Sequence, residues 1–215
     1  MSAPPLMGYI LDEFKAGEPH SKTTIILVDD LHFDIMDPST WVFHVKTIAR
    51  SLSNLCRFNG HLETFYSVAE HAVRVSKKLE EWGMTKTIQF LGLHHDDMES
   101  IIGDIPSPQK RLFYVDGEPI SVLEKALEYS YFATFEYFAC TMRDTGGRPP
   151  HASLFDETWD MVKRADLAVY LEERAERPNL GRGLPPQQAY EEYLALHNQL
   201  AGYIPFLVEE EPTPF

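Results

Sequence analysis

Residues 94–104 read HHDDMESIIGD, two histidines and four carboxylates within eleven positions, directly after the apolar run IQFLGL. His95 and Asp96 are adjacent, and Glu99 follows them at spacings of four and three. On a helix those spacings share one face, so an imidazole and two carboxylates would point toward one spot. Charged groups at the end of an apparently buried helix need partners. A divalent ion satisfies them, provided that neighbouring helices supply another ligand or two. His71, in SVAEHAVRVS, and Asp166, in the otherwise apolar run ADLAVYL, are the candidates. Singly, each has an ordinary structural explanation, such as a satisfied core histidine or a capping aspartate. Their order along the chain is what carries information.

Helices must position these groups. The segment KTTIILVDDLHFDIMDP (22–38) is rich in β-branched residues, broken by Asp-Asp and stopped by Asp-Pro, which predicts a short hairpin or extended pair. Val45, Ile48, Leu52 and Leu55 then recur at spacings of three and four, an amphipathic helix that ends by Gly60. Ser67 and Glu70 stand at capping-box spacing, so the helix carrying His71 should begin at Ser67. TKTIQFLGLHHDDMESII (85–102) reads as one continuous helix, ended by Gly103 and the turn DIPSP. Residues 119–142 and 154–177 read as longer helices separated by the breaker DTGGRPPHAS, and a last helix over about 186–203 follows the loop RPNLGRGLPP. The expected organisation is an N-terminal arm (1–21), one mostly α domain (22–203) and an acidic tail (204–215).

Composition narrows the class. With 19 basic and 33 acidic residues the formal charge is −14, which argues against binding a nucleic-acid polymer or an acidic membrane through bulk charge. A small phosphorylated ligand stays compatible, because a bound cation or a local arginine reverses the field inside one pocket. Two cysteines, Cys56 and Cys140, make no disulfide framework, and the expectation is a reduced, cytoplasmic setting. No apolar run approaches the roughly 18 residues of a membrane span, and the acidic start is unlike a signal peptide.

The order H…HD…D resembles the signature of the HD superfamily of metal-dependent phosphohydrolases. SLSNLCRFNGHLETFYSVAEHAVRVS (51–76) and HHDDMESIIGDIPSPQKRL (94–112) are similar to a branch that contains 5′-deoxynucleotidases and phage-encoded deoxynucleotide hydrolases, with a pattern running roughly HDxxExxxGDxPxPxK. ADLAVYLEER (165–174) resembles the third block of that branch. The resemblance implies an HD-domain helical bundle in which His71, His95, Asp96 and Asp166 bind one divalent ion: zinc, cobalt, manganese or iron. It leaves room for a second ion. His95, not His94, is the implied ligand; His94 is read as structural or a pocket wall, and Asp97 as exposed or in the outer surroundings of the site.

For the chemistry, the resemblance assigns Glu99 to proton transfer or to orienting the attacking water. Asp104 is either a proton-transfer aid, a ligand to a further metal, or a turn-capping aspartate before Pro106. Arg57 is the first candidate for phosphate, its guanidinium fork matching phosphate oxygens. Phe58 would stack on a base or sugar or sit in the core; His61 would line the pocket or be structural; Lys110 and Arg111 would reach the phosphate tail or form a solvated pair. The implied activity is hydrolysis of a deoxynucleotide by metal-activated water. The phage-like character of the first block favours a dNTP, with dATP as leading candidate, acting in a cytoplasm that is the host's for a phage-encoded chain. The alternatives are a 5′-deoxynucleotidase on dNMPs and a non-catalytic metal or nucleotide sensor. Relatives of this kind imply a homo-oligomer.

Overall fold

A computed structural model describes residues 22–134, 152–176 and 183–203. The expected N-terminal arm, residues 135–151 with most of the DTGGRPPHAS breaker, the first part of the RPNLGRGLPP loop and the acidic tail lie outside the described residues. The chain divides into two compact units at Thr47/Ile48.

In the first unit, β1 (Thr24–Ile26) pairs antiparallel with β2 (His32–Asp34), Ile25 opposite Phe33. This is the hairpin predicted from the β-branched run. Asp34 fixes its end: the carboxylate accepts from Thr23 Oγ1 at 2.6 Å and from the Met36 N–H at 2.9 Å. Asp37 accepts from the Ser39 N–H at 3.0 Å, which caps the turn begun by Pro38. Phe33 is fully buried, with the rings of Trp41 and Phe43 against it.

The second unit is helical. It contains α1 (Val45–Asn54), whose first turn holds the unit boundary, α2 (Val68–Glu81), α3 (Lys86–Leu93), the single turns α4 (Glu99–Ile102) and α5 (Ser107–Lys110), the two-residue strands β3 (Tyr114–Val115) and β4 (Glu118–Pro119), and the helices α6 (Ile120–Thr134), α7 (Ala152–Glu176) and α8 (Pro186–Ala201). α2 is the axis of the bundle, with α3, α7 and α8 packed on it; α3 also packs on α7 and α8. The apolar stripe of α2 (Val68, Ala72, Val75, Leu79) is buried against these neighbours, and Ser67 caps its start by accepting the Glu70 N–H at 3.1 Å. The Glu70 carboxylate does not return to complete the capping box; it accepts the Leu184 N–H at 3.1 Å. Thr85 caps α3 in the same way, through the Ile88 N–H.

Two expectations are corrected here. α1 ends at Asn54, before Gly60, and the chain continues through the 3-10 turn Arg57–Gly60, where Phe58 and Asn59 adopt positive φ. Residues 85–102 are not one helix: α3 stops at Leu93, His94–Met98 form turns, and helical geometry resumes only at Glu99. The cause is local. His95 Nδ1–H donates to the Gly92 carbonyl at 2.8 Å, the acceptor that the Asp96 N–H would use if the helix continued. The i, i+4 argument relating His95 to Glu99 therefore does not describe this segment.

The start of α8 is held to the head of α2 by a close backbone approach. A Cβ on Gly183 would overlap the Phe65 carbonyl, and backbone, unlike a side-chain tip, cannot swing aside. Gly183→Ala should lower stability by about 2 kcal/mol, in the range of overpacked sites. A thermal melt reads this directly, and an unchanged Tm would show that the segment can move away freely.

Candidate metal centre

Four side chains from three parts of the bundle converge. His71 comes from the first turn of α2, His95 and Asp96 from the turn after α3, and Asp166 from the middle of α7. His95 Nε2 lies 3.1 Å from Asp96 Oδ2 and 3.8 Å from Asp166 Oδ1. His71 Nε2 lies 3.2 Å from Asp166 Oδ1 and 3.7 Å from Asp96 Oδ2. Ligand atoms of His71, His95 and Asp96 all fall within 4.8 Å of one another, so this trio, two buried histidines and a half-buried aspartate, can hold a metal ion.

The donor chemistry fits such an ion. Both imidazoles are fixed through Nδ1, His71 by donating to Glu173 Oε1 at 2.7 Å and His95 by donating to Gly92 O at 2.8 Å. That assigns the outer proton to Nδ1 and directs both Nε2 atoms inward. Neither Nε2 makes a hydrogen bond, although both are buried. Leaving a buried polar atom unsatisfied costs about 1–3 kcal/mol, and coordination removes that cost.

Glu173 escaped the sequence reading. It is fully buried, accepts from Tyr66 Oη at 2.6 Å as well as from His71, and stands 3.6 Å from Arg57 Nε through Oε2. Burial works against its charge, but His71, Arg57 and Tyr66 together hold its carboxyl below the ordinary glutamate range. The signal was its place seven residues after Asp166, two helical turns along the same face.

Around this centre lie most of the other candidates. Arg57 is buried, its Nη1 3.5 Å from Asp96 Oδ2, and the Glu173 and Asp96 carboxylates outweigh burial to raise its pKa. Phe58 lies alongside the Arg57 guanidinium and stacks on Tyr170, with ring centroids 6.1 Å apart. Glu99 is buried; burial first, then the Asp96 and Asp104 carboxylates, push its carboxyl well above the ordinary range, and its Oε2 has no hydrogen-bond partner. Asp104 is shifted upward mainly by burial, against the pull of Arg57. Lys110 Nζ lies 3.9 Å from Glu99 and is bound to Glu124 at 2.7 Å. His61 and Arg111 are exposed and have no described contact with the cluster.

Of the two readings of Asp97, exposed or in the outer surroundings of the site, the first is corrected: it is buried, accepting from His94 Nδ1 at 2.6 Å and from the Tyr193 hydroxyl. His94, read as structural or a pocket wall, is buried as well and faces α8, where His197 Nδ1 is 3.0 Å from its Nε2.

Comparison with known proteins adds one relative. The chain is 36% identical over 130 residues to the uncharacterized protein YfdR of Escherichia coli (strain K12), a match covering 60% of this chain and 58% of that protein. No family model matches the chain. Among the described residues no helix is long and apolar enough to cross a membrane.

Metal binding should be coupled to a proton. In the metal-free protein burial disfavours the His95 imidazolium, but Asp96 and Asp166 outweigh it and raise the pKa to about 10. His95 is then protonated at pH 7 and must lose that proton to ligate through Nε2. Apparent affinity for Mn²⁺ should rise with pH, by about tenfold per unit for one displaced proton, and level off near that pKa. Calorimetry in buffers of different ionisation enthalpy measures the proton released; none released at pH 7 would contradict the assignment.

Proposed function

We propose that the chain is a metal-dependent phosphohydrolase of the HD superfamily that acts on deoxynucleotides, with dNTPs, and dATP first among them, as the leading substrates. The observation that carries this reading is the convergence of the buried Nε2 atoms of His71 and His95 on the Asp96 and Asp166 carboxylates, with the far nitrogen of each ring fixed by another acceptor. These are the four residues that the resemblance assigns to the metal. The buried Glu99 carboxyl, with a free Oε2 and a raised pKa, supports the second part of the reading.

A divalent ion held by these four side chains supplies Lewis acidity, lowering the pKa of water and offsetting phosphoryl charge. Glu99 is suited to accept and return a proton, because burial and the Asp96 and Asp104 carboxylates raise its carboxyl above the ordinary glutamate range. Arg57 offers the guanidinium closest to Asp96, and Glu173 holds it in place through Nε. Lys110, steadied by Glu124, brings a second cation beside Glu99.

A second reading, a 5′-deoxynucleotidase on dNMPs, is favoured by the same electrostatics. Arg57 is already paired with Asp96 and Glu173, and Lys110 with Glu124. Cations committed in this way suit a monophosphate dianion better than a triphosphate, unless a second divalent ion adds charge.

The test is to strip the protein with chelator, restore Mn²⁺, Co²⁺ or Zn²⁺ singly, offer all four dNMPs and dNTPs, and resolve the products by chromatography. Metal-dependent turnover of dNTPs is expected, and turnover of dNMPs alone would select the second reading. Glu99→Gln should keep the metal and lose about 10²–10⁴-fold in kcat, the usual contribution of a positioned acid or base. Full activity in that variant would remove Glu99 from the chemistry. Metal bound with no turnover of any nucleotide would leave a sensor.

A further inference from the structure

The two residues that flank the ligand pair point the other way. His95 and Asp96 face the centre, whereas His94 and Asp97 are bonded to each other on the opposite side, His94 Nδ1 to Asp97 Oδ2 at 2.6 Å. Both are 1% exposed, so this is a polar contact inside the core, where directed hydrogen bonds define position more sharply than apolar packing does. Asp97 can only accept, and it does so from His94 Nδ1–H and from the Tyr193 hydroxyl. With its proton on Nδ1, His94 is left with Nε2 as an acceptor, which matches His197 Nδ1–H at 3.0 Å. The Tyr131 hydroxyl of α6 lies 3.0 Å from His94 Nδ1, and the Phe90 ring packs on the imidazole with centroids 4.2 Å apart.

The turn keeps backbone bonds of its own, Asp97 N–H to His94 O at 3.4 Å and Glu99 N–H to Asp96 O at 2.9 Å, but no regular helix runs through it. α3 has ended at Leu93, α4 has not begun, and the Gly92 carbonyl is taken by the His95 ring. Its two ligands therefore depend on what fixes the residues on either side of them. We propose that His94 and Asp97, anchored to Tyr193 and His197 of α8, form a clamp that positions His95 and Asp96, so that metal affinity is set in part by the C-terminal helix. The clamp rests on the metal reading given above; its four members are not among the side chains that converge on the candidate centre, and they act as positioning residues.

The test uses the full chain, stripped of metal and titrated with Mn²⁺, free ion being followed by electron paramagnetic resonance. His94→Leu should raise the Kd for Mn²⁺ about tenfold or more, the usual effect of losing a partner behind a ligand. His94→Asn keeps a donor where Nδ1 stood and should bind more tightly than His94→Leu. Leu52→Ala, a buried change in α1 away from the clamp, should lower Tm and leave Kd unchanged. Tyr193→Phe, which loses a single hydroxyl, gives the same reading if His94→Leu does not fold: a raised Kd supports the clamp. Wild-type Kd in the folded clamp variants would overturn it while leaving the metal centre standing, as would a Kd that tracks Tm equally in Leu52→Ala. Failure of the wild-type chain to bind Mn²⁺ or Zn²⁺ would overturn both readings.

Discussion

Two imidazole Nε2 atoms and two carboxylates meet where water is largely excluded, and much of the bundle serves to keep them there. Each imidazole must be held by its far nitrogen, since a ring free to flip would offer Nδ1 as readily as Nε2. Helix α7 supplies Glu173 for His71, and the end of α3 supplies a backbone carbonyl for His95. Glu173 is itself a buried charge and is tolerable only because Arg57 and Tyr66 share it. Arg57 in turn reaches Asp96, which closes a ring of charge around the centre.

The same dependence explains why α3 stops where it does. A helix running through His94–Met98 would fan these side chains around its axis, and the Gly92 carbonyl would be spent on the Asp96 N–H. With the helix ended, His95 takes that carbonyl, and adjacent residues project to opposite sides: one pair toward α2 and α7, the other toward α6 and α8. The turn is thus an interior junction, and its polar residues are satisfied on both sides.

Charge is distributed economically for a chain of formal charge −14. The carboxylates near the centre fall into two groups. Asp96, Asp166 and Glu173 are held ionised by histidines and Arg57, while Glu99 and Asp104 are pushed by burial toward the protonated form. Under the proposed function, such a split separates the carboxylates assigned to the metal from a proton carrier without needing different residue types. Lys110, tied to Glu124, lies at the border between the groups.

The amino-acid sequence by itself determined the helical class, the hairpin, the cap at Ser67 and the residues to look for at a candidate metal centre. The elements and the cap are legible because they rest on spacing and on residue chemistry within a few positions of one another, whereas His71 and Asp166 join His95 and Asp96 only through the resemblance of their segments to a known pattern. Tertiary structure alone decided the rest. Glu173, about a hundred residues from His71, becomes its partner only when α7 packs on α2. Asp97 reads as either exposed or near the site until α8 brings Tyr193 to it, and His94, read as structural or a pocket wall, has no identifiable partner until His197 arrives from the same helix. The apolar run before HHDD suggests a continuous helix, because periodicity cannot register a single imidazole competing for one carbonyl. Local preferences are written in neighbouring residues; the partners of a buried charge are chosen by whatever the fold places beside it.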